Sequence, residues 1–387
     1  MLLIGILTGL IILVLLVVIH ELGHGIVARR NGVVVEEFGV GFPPRAWGRK
    51  LKQSILGKNV LISLNWLPLG GFVKLQGEND SANGKGDYGA ATYWQKTKIL
   101  LAGVLMNWLT AIVLFTILAL VGLPKILPNQ FSVASDTVIS VEPLKINQVE
   151  RDSPAEKAGL RGGDEILLID SSDIRSPEEL SEATKANKGK TVSVTYSRSS
   201  SEYVVPVTLR NESSPSKGFL GVRTSQRMSE IRATWSAPIV GFMTTLQLTG
   251  ETFSALGKVV TSLGEGIGSR FTANESARKS GDEAFAFASN SVSGPVGILG
   301  VIFPQAQQAG LKWLTLLAAL ISLSLAVMNV LPIPALDGGR WFTMTLFRLL
   351  KKPLTKEREE KIQTIGFMAL LALIVLVTVA DVSKLIG

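Results

Sequence analysis

The 387-residue sequence contains no cysteine and only two histidines. Without cysteine, the chain has no disulfides, no thiolate metal ligands and no cysteine nucleophile. Charged residues are also scarce, at 18% of the chain, whereas apolar residues make up 47% and the mean hydropathy is +0.34. This balance excludes an ordinary soluble enzyme and indicates an integral membrane protein with a soluble portion. The net charge of +8 does not predict a nucleic-acid partner, because no basic helix or aromatic-interleaved basic patch accompanies it.

Both histidines lie near the end of the first long apolar run. His20 and His24 are four residues apart and therefore share one face of a helix, with Glu21 beside them. In this H-E-x-x-H arrangement the two imidazoles ligate zinc and the glutamate acts as general base on a water. Two unrelated helix histidines are the alternative, but three polar side chains in hydrocarbon are costly and usually functional. The pattern therefore predicts a zinc site inside the membrane.

Four apolar stretches predict transmembrane helices in the lipid bilayer. The first has no basic residues before it and no small-residue cleavage site, so we expect a retained helix rather than a signal peptide. Basic residues exceed acidic ones in the loops after the first and third stretches, which places both loops in the cytoplasm and both termini outside. We expect a multi-pass protein of the inner (plasma) membrane with its active site near the cytoplasmic side. The stretches are residues 2–28, 99–123, 311–332 and 364–380.

The cytoplasmic segment between the first two stretches is β-rich. Its apolar and β-branched runs predict short strands, and a mobile loop follows them at 76–91. The strands either pair with an extended substrate by edge addition or form a small sheet that packs on the helix ends. The predicted strands are residues 33–35, 38–42, 60–64 and 71–75.

A soluble α+β segment follows the second stretch. The run S-P-A-E-K-A-G-L-R-G-G-D-E-I at residues 153–166 and G-F-L-G-V at 218–222 resemble a PDZ domain. Such modules bind extended peptides by adding a strand, and the alternative here is a steric gate. The helix pattern is at 177–186, and the strand patterns are at 138–141, 166–169, 191–196 and 203–209.

These patterns predict a multi-pass α-helical membrane protein with four transmembrane helices, a membrane-associated β-rich cytoplasmic segment and an extracytoplasmic PDZ-like α+β domain. The interrupted apolar run at 236–263 fits an interfacial helix, because a fifth span would invert the sidedness of the last basic loop. The polar stretch 264–293 predicts a loop. The predicted divisions are 1–128 for the N-terminal membrane half, 129–228 for the PDZ-like domain, 229–310 for the interfacial helix and linker, and 311–387 for the C-terminal membrane half.

A catalytic zinc site needs a third protein ligand, which must be Asp or Glu here. The first helix has crossed ~27 Å by His20, at 1.5 Å per residue. The third span also runs inward, and Asp337 follows its start by 26 residues, at a similar depth. Asp381 falls at the opposite face and Glu251 outside. Asp337 is therefore the predicted ligand, with helix or turn capping before two glycines as its alternative role.

Two asparagines in the spans have alternative roles. Asn329 lies one turn before Pro332 and either donates to a substrate carbonyl or packs against a neighbouring helix. Asn107, in the second span, either hydrogen-bonds to the catalytic helix or joins helices in the way polar residues commonly do in membranes.

Four motifs lie along the chain: H-E-L-G-H (20–24), A-G-V-L-M-N (102–107), G-P-V-G-I (294–298) and N-V-L-P-I-P-A-L-D-G-G (329–339). Together they resemble the site-2 protease family of intramembrane zinc metalloproteases, and most closely the bacterial regulators of sigma-E proteolysis. The resemblance implies that His20, His24 and Asp337 bind Zn²⁺ and that Glu21 is the catalytic base. It implies that Asn329 and Pro332 position the substrate, which would be a single-pass membrane protein already trimmed outside the membrane, such as an anti-sigma factor, or a signal-peptide remnant.

The chain departs from the family pattern at a few positions. Val104 stands where proline is usual, Arg340 stands where histidine is common, and one PDZ-like domain is present where some relatives have two. Two rival functions are a scaffold that recruits peptides and a metal transporter. A scaffold has no need for Glu21 beside two ligands, and a transporter needs further ligands along a path, of which the remaining spans offer almost none.

Overall fold

The computed structural model describes residues 2–141, 144–174, 176–212, 218–224, 229–269, 278–283 and 294–386. The chain forms two compact units, one from Met1–Ala119 with Ala237–Gly387 and one from Leu120–Ser236. The helices are α1 (Leu2–Arg30), α2 (Tyr93–Val121), α3 (Pro154–Lys157), α4 (Pro177–Ala186), α5 (Ala237–Ser269), α6 (Pro295–Gly297), α7 (Phe303–Ala309), α8 (Leu311–Val330), α9 (Asp337–Leu349) and α10 (Lys356–Ile386), with a π-helical turn at Ile298–Ile302. The strands are β1 (Val35–Ser54), β2 (Gly57–Leu75), β3 (Leu123–Pro124), β4 (Val138–Val141), β5 (Leu144–Val149), β6 (Glu165–Ile169), β7 (Ser172–Asp173), β8 (Thr191–Arg198), β9 (Ser201–Thr208), β10 (Val222–Thr224) and β11 (Ser229–Arg232).

Within the described residues, four helices are long and apolar enough to span a membrane: α1, α2, α8 and α10. Each overlaps one of the four predicted stretches. Helices α1 and α2 approach closely through small residues, since a Cβ added at Gly23 would lie 2.6 Å from Met106 Cγ and 2.7 Å from Ala102 O. This contact brings the H-E-x-x-H motif against the second span.

Helix α5 is longer than the sequence pattern predicts. It continues to Ser269, so the predicted loop at 264–293 is wrong for its first six residues. Glycine costs about 1 kcal/mol in a helix, but Gly266 and Ser269 are buried, and packing overrides the local preference. Residues 278–283 are also helical. The rest of the predicted loop, 270–277 and 284–293, lies outside the described residues.

The predicted strands at 38–42, 60–64 and 71–75 belong to two long antiparallel strands, whereas the one predicted at 33–35 lies in β1 only at Val35. Residues 71–75 of β2 pair with the start of β1, and residues 57–65 pair with its second half. Residues 37–40 also have register partners at 61–64, so the ribbon folds over itself at its bulges. The loop 76–91 has no regular element, as predicted, and it packs against the ribbon: Tyr88 is 2% exposed and its N–H donates to Gln76 O.

The second unit contains a sheet with strand order β10-β5-β6-β8-β9, with β7 paired to β6, and a smaller sheet β3-β11-β4. Ser153 caps α3 by accepting the Glu156 N–H, which accounts for the S-P-A-E motif. Asp164 binds Arg198 through two oxygens. Burial opposes ionisation of Asp164, but hydrogen bonds from Arg198 and from the Arg161 N–H outweigh it and lower the pKa of the carboxyl.

Candidate metal centre

Three side-chain atoms from two distant parts of the chain form a small triangle. Asp337 Oδ2 lies 3.0 Å from His20 Nε2 and 3.2 Å from His24 Nε2. The two Nε2 atoms are 3.2 Å apart. Both histidines are buried, and the Asp337 side chain is 21% exposed. The structure therefore brings together the three residues that the sequence predicts as ligands.

Helix α2 holds the two imidazoles from behind. His24 Nδ1 donates to the carbonyl oxygen of Ile99 at 2.7 Å, and His20 Nδ1 lies 3.3 Å from Asn107 Nδ2. Since Nδ1 of His24 carries the proton, its Nε2 presents a lone pair to the triangle. Partners of this kind, behind the ligands, orient metal-binding histidines and fix their tautomers.

Gly103 lets α2 come this close. A Cβ there would lie 2.5 Å from His24 Nε2 and 2.6 Å from His20 Nε2. Ile99, Gly103 and Asn107 follow each other at four-residue spacing and so share one face of the helix. Gly103 lies in the A-G-V-L-M-N motif, but its contact with the histidines was not predicted; its four-residue spacing from Asn107 was the available signal.

The turn between α8 and α9 delivers Asp337. Helix α8 ends at Val330, Ala335 adopts a left-handed φ of 77°, and α9 begins at Asp337 itself. Gly338 and Gly339 pack against the backbone carbonyls of Val330 and Ile333, where a Cβ would collide. The two glycines are therefore needed for the close return of the chain that directs the carboxylate at the histidines.

The donor set fits a zinc ion. Asp337 Oδ2 is buried and receives no hydrogen bond among the described residues, although two Nε2 atoms adjoin it. Three lone-pair atoms at this spacing repel one another unless a cation lies between them. Tetrahedral zinc with bonds of about 2.0–2.1 Å sets its ligand atoms about 3.3 Å apart, close to the observed edges. Three protein ligands leave the fourth position for water, as in catalytic zinc sites.

Glu21 lines the cavity that adjoins the triangle of ligand atoms. The cavity has a volume of 680 Å³, and His24, Asp337 and Val73 also line it. Its Oε2 accepts the Val73 N–H at 3.0 Å. Within the described residues no strand pairs with residues 71–75 of β2 on the side away from β1. The next N–H on that side, that of Leu75, donates to Glu78 at 3.3 Å. An extended backbone edge therefore runs beside the predicted base.

Asn329 and Pro332 make no described contact with the triangle. The Asn329 amide donates to the Leu325 carbonyl one turn earlier at 3.0 Å, and Pro332 is exposed at the end of α8. Neither residue lines the cavity. The structure thus brings Glu21 to the three ligand residues and leaves these two without a described contact to them.

Arg340, three residues after Asp337, forms ion pairs with two glutamates from other parts of the chain. Its guanidinium donates to Glu78 Oε1 and Glu359 Oε1 at 3.1 and 3.0 Å and lies 4.7 Å above the Tyr88 ring. Burial opposes the charge, but Tyr88, Glu78 and Glu359 outweigh it and hold the pKa of the guanidinium above its usual range. Burial likewise raises the pKa of the Tyr88 hydroxyl. Glu78, in the loop 76–91, is therefore paired with Arg340.

The chain matches peptidase family M50 over residues 8–373. The chain belongs to this family, that of the site-2 proteases. A relative from Clostridium perfringens that is named a candidate zinc metalloprotease is 33% identical over 95% of each chain. The regulator of sigma-W protease RasP of Bacillus subtilis is 25% identical over 96% of each chain. The PDZ domain of an SdrC-like protein of Listeria monocytogenes is 24% identical over 24% of this chain and 93% of that domain, with a TM-score of 0.19.

This M50 peptidase is thus a zinc metalloprotease of the membrane, with four helices of spanning length and a triangle of ligands that fits the metal. The predicted family, enzyme class and Zn²⁺ cofactor are confirmed.

Proposed function

We propose that this M50 peptidase cleaves transmembrane segments of single-pass membrane proteins, with Glu21 as general base. The observation that carries the proposal is the unpaired edge of β2, whose Val73 N–H lies at the Glu21 carboxylate. A protease that acts on unwound membrane helices needs a strand-like partner for the extended backbone next to its catalytic groups.

The proposed chemistry uses four side chains. His20, His24 and Asp337 hold Zn²⁺, which when bound polarises the scissile carbonyl and makes a water more acidic. Glu21 takes a proton from the attacking water and delivers it to the leaving amine. The water oxygen bonds to the carbonyl carbon, and the C–N bond breaks.

The substrate backbone is proposed to lie along residues 71–75. A transmembrane helix satisfies its own carbonyls and must unwind locally before attack, and edge pairing replaces the lost hydrogen bonds. Asn329 and Pro332 are proposed to position the unwound segment, as the family resemblance implies. Asn329 supports this role with an amide that hydrogen-bonds only along its own helix in the described residues.

The proposed location is the inner (plasma) membrane, with both termini and the PDZ-like domain outside and the site near the cytoplasmic face. The excess of basic residues after the first and third spans supports this sidedness. The β1–β2 ribbon is proposed to rest on the bilayer. Its Trp47 and Trp66 are 55% and 70% exposed, and indole side chains favour the membrane interface. Pre-trimmed anti-sigma factors and signal-peptide remnants are the proposed substrates, and the PDZ-like domain either binds peptide or gates access.

The test pairs metal analysis with cleavage of a tagged single-pass substrate whose outer part has been removed. We expect wild type to cleave within the membrane segment. Glu21→Gln should lose about 10²–10⁴-fold in rate while keeping its zinc. Asp337→Ala should lose both zinc and cleavage, whereas Glu251→Ala, which removes an exposed carboxylate on α5, should lose neither. Retained cleavage in Glu21→Gln refutes the base, and unchanged zinc in Asp337→Ala refutes the ligand. Cleavage confined to soluble segments refutes the intramembrane substrate.

A further inference from the structure

We infer that Asn107 is a positioning residue for His20: its amide oxygen accepts the Nδ1 proton of His20 and so turns the Nε2 lone pair toward the metal ligand triangle. The inference rests on His20 as a zinc ligand and concerns what makes His20 competent to bind. Asn107 contacts His20 at Nδ1 and has no described contact with the three ligand atoms themselves.

The geometry places the amide of Asn107 directly behind the ring. Asn107 is fully buried on α2, and one terminal atom of its amide lies 3.3 Å from His20 Nδ1. With Nδ2 facing the ring, Oδ1 is buried without a hydrogen-bond partner among the described residues. The two ends of an amide have nearly the same shape, so the opposite orientation packs equally well.

Proton placement decides between the two orientations. If Nδ2 donates to Nδ1, the proton of neutral His20 must sit on Nε2, where it points into the triangle and blocks a metal. If Oδ1 accepts from Nδ1–H, Nε2 carries a lone pair and can bind. A zinc site at His20, His24 and Asp337 therefore requires the orientation with Oδ1 toward His20.

The two histidines differ in the kind of group that accepts their Nδ1 proton. His24 donates to the backbone carbonyl of Ile99, an acceptor that no substitution removes. His20 depends on a side chain, so the residue type at position 107 controls its tautomer. A role for Asn107 in helix packing alone makes a different prediction, because the link from Ser322 Oγ to the Asn107 backbone carbonyl survives any side-chain change.

The experiment measures zinc affinity of the full-length protein in detergent by competition with a chelator. Asn107→Leu keeps the volume but removes the acceptor, and we expect zinc to bind about 10–100-fold more weakly. Asn107→Asp keeps an acceptor oxygen and should bind zinc close to the wild-type affinity. Thr110→Val is the matched control, since the Thr110 hydroxyl donates to Met106 O on the same helix, away from the site, and its affinity should not change.

A spectroscopic measurement tests the inference even if Asn107→Leu does not fold. Because the chain has two histidines, ¹⁵N-histidine labelling of the zinc-loaded wild type gives two imidazoles. We expect both to carry a proton on Nδ1 that exchanges slowly with water. A rapidly exchanging or absent Nδ1 proton on the His20 ring overturns the inference, as does equal zinc affinity in wild type and Asn107→Leu. If wild type itself binds no zinc, the ligand assignment fails instead.

Discussion

Arg340 donates through Nε to Glu359 at 3.0 Å, joining the first turn of α9 to the first turn of α10. Because Asp337 begins α9, this pair ties the proposed metal ligand to the start of the last membrane helix. The same guanidinium reaches Glu78, at the end of the β2 edge. Glu359 also accepts the Asp80 N–H, so α9, α10 and the loop 76–91 meet at one charge cluster.

Arg340→Ala should destabilise the protein strongly. Glu359 is 5% exposed, and removing its partner leaves a buried carboxylate uncompensated, at a cost of about 3–5 kcal/mol. Thermal unfolding in detergent measures this loss. Lys356→Ala is the control, because its exposed ammonium lies 3.7 Å from the exposed Glu360 and such pairs contribute about 0–1 kcal/mol. Equal melting temperatures for the two variants would show that the Arg340 ion pairs do not stabilise the folded protein.

Gly103→Ala should empty the metal site although no ligand residue is replaced. The added methyl would lie 2.5–2.6 Å from ring atoms of both histidines, so α2 must move away or the rings must turn. We expect the zinc content per chain to fall well below that of wild type, measured by elemental analysis. Gly257→Ala on α5 meets no atom within 4 Å and should retain full zinc. A fully metallated Gly103→Ala would show that the close approach of α2 is dispensable.

Zinc removal should lower the melting temperature. A metal that binds the folded state stabilises it by mass action, and its loss also leaves the lone pairs of His20, His24 and Asp337 facing one another. A chelator should therefore destabilise wild type and Glu21→Gln alike, whereas Asp337→Ala should melt at one temperature with or without chelator. A chelator effect of the same size in Asp337→Ala would argue against Asp337 as a ligand.

The second unit should lose stability in acid through Asp164. Its folded pKa lies below the unfolded value near 3.9. The contribution is therefore present above that value and is lost as the pH falls through the folded pKa. Pepsin cleavage within residues 144–209 of the full chain should rise as the pH is lowered, and less steeply in Arg198→Met, whose Asp164 has already lost its partner. Identical pH profiles for both proteins would contradict this.

The sequence predicts the parts of this fold that depend on local periodicity. Helix α4 occupies the predicted residues 177–186, and four long apolar runs become four helices of spanning length. Asp337 could be chosen by depth because helix rise is constant. Arg340 and Glu78 are 262 residues apart and follow no repeat, so their contact has no local signal. The extension of α5 to Ser269 likewise depends on burial of residues whose propensity opposes a helix.

The Val73 amide has a single hydrogen, which it donates to the Glu21 carboxylate in this structure. A substrate strand that pairs along residues 71–75 must take that hydrogen for its own carbonyl. The carboxylate then gives up its partner at the moment the peptide arrives and is free to accept a proton. Substrate pairing and the hydrogen bond to Glu21 are in this way mutually exclusive uses of one amide, which on the proposed function ties the timing of proton transfer to the presence of substrate.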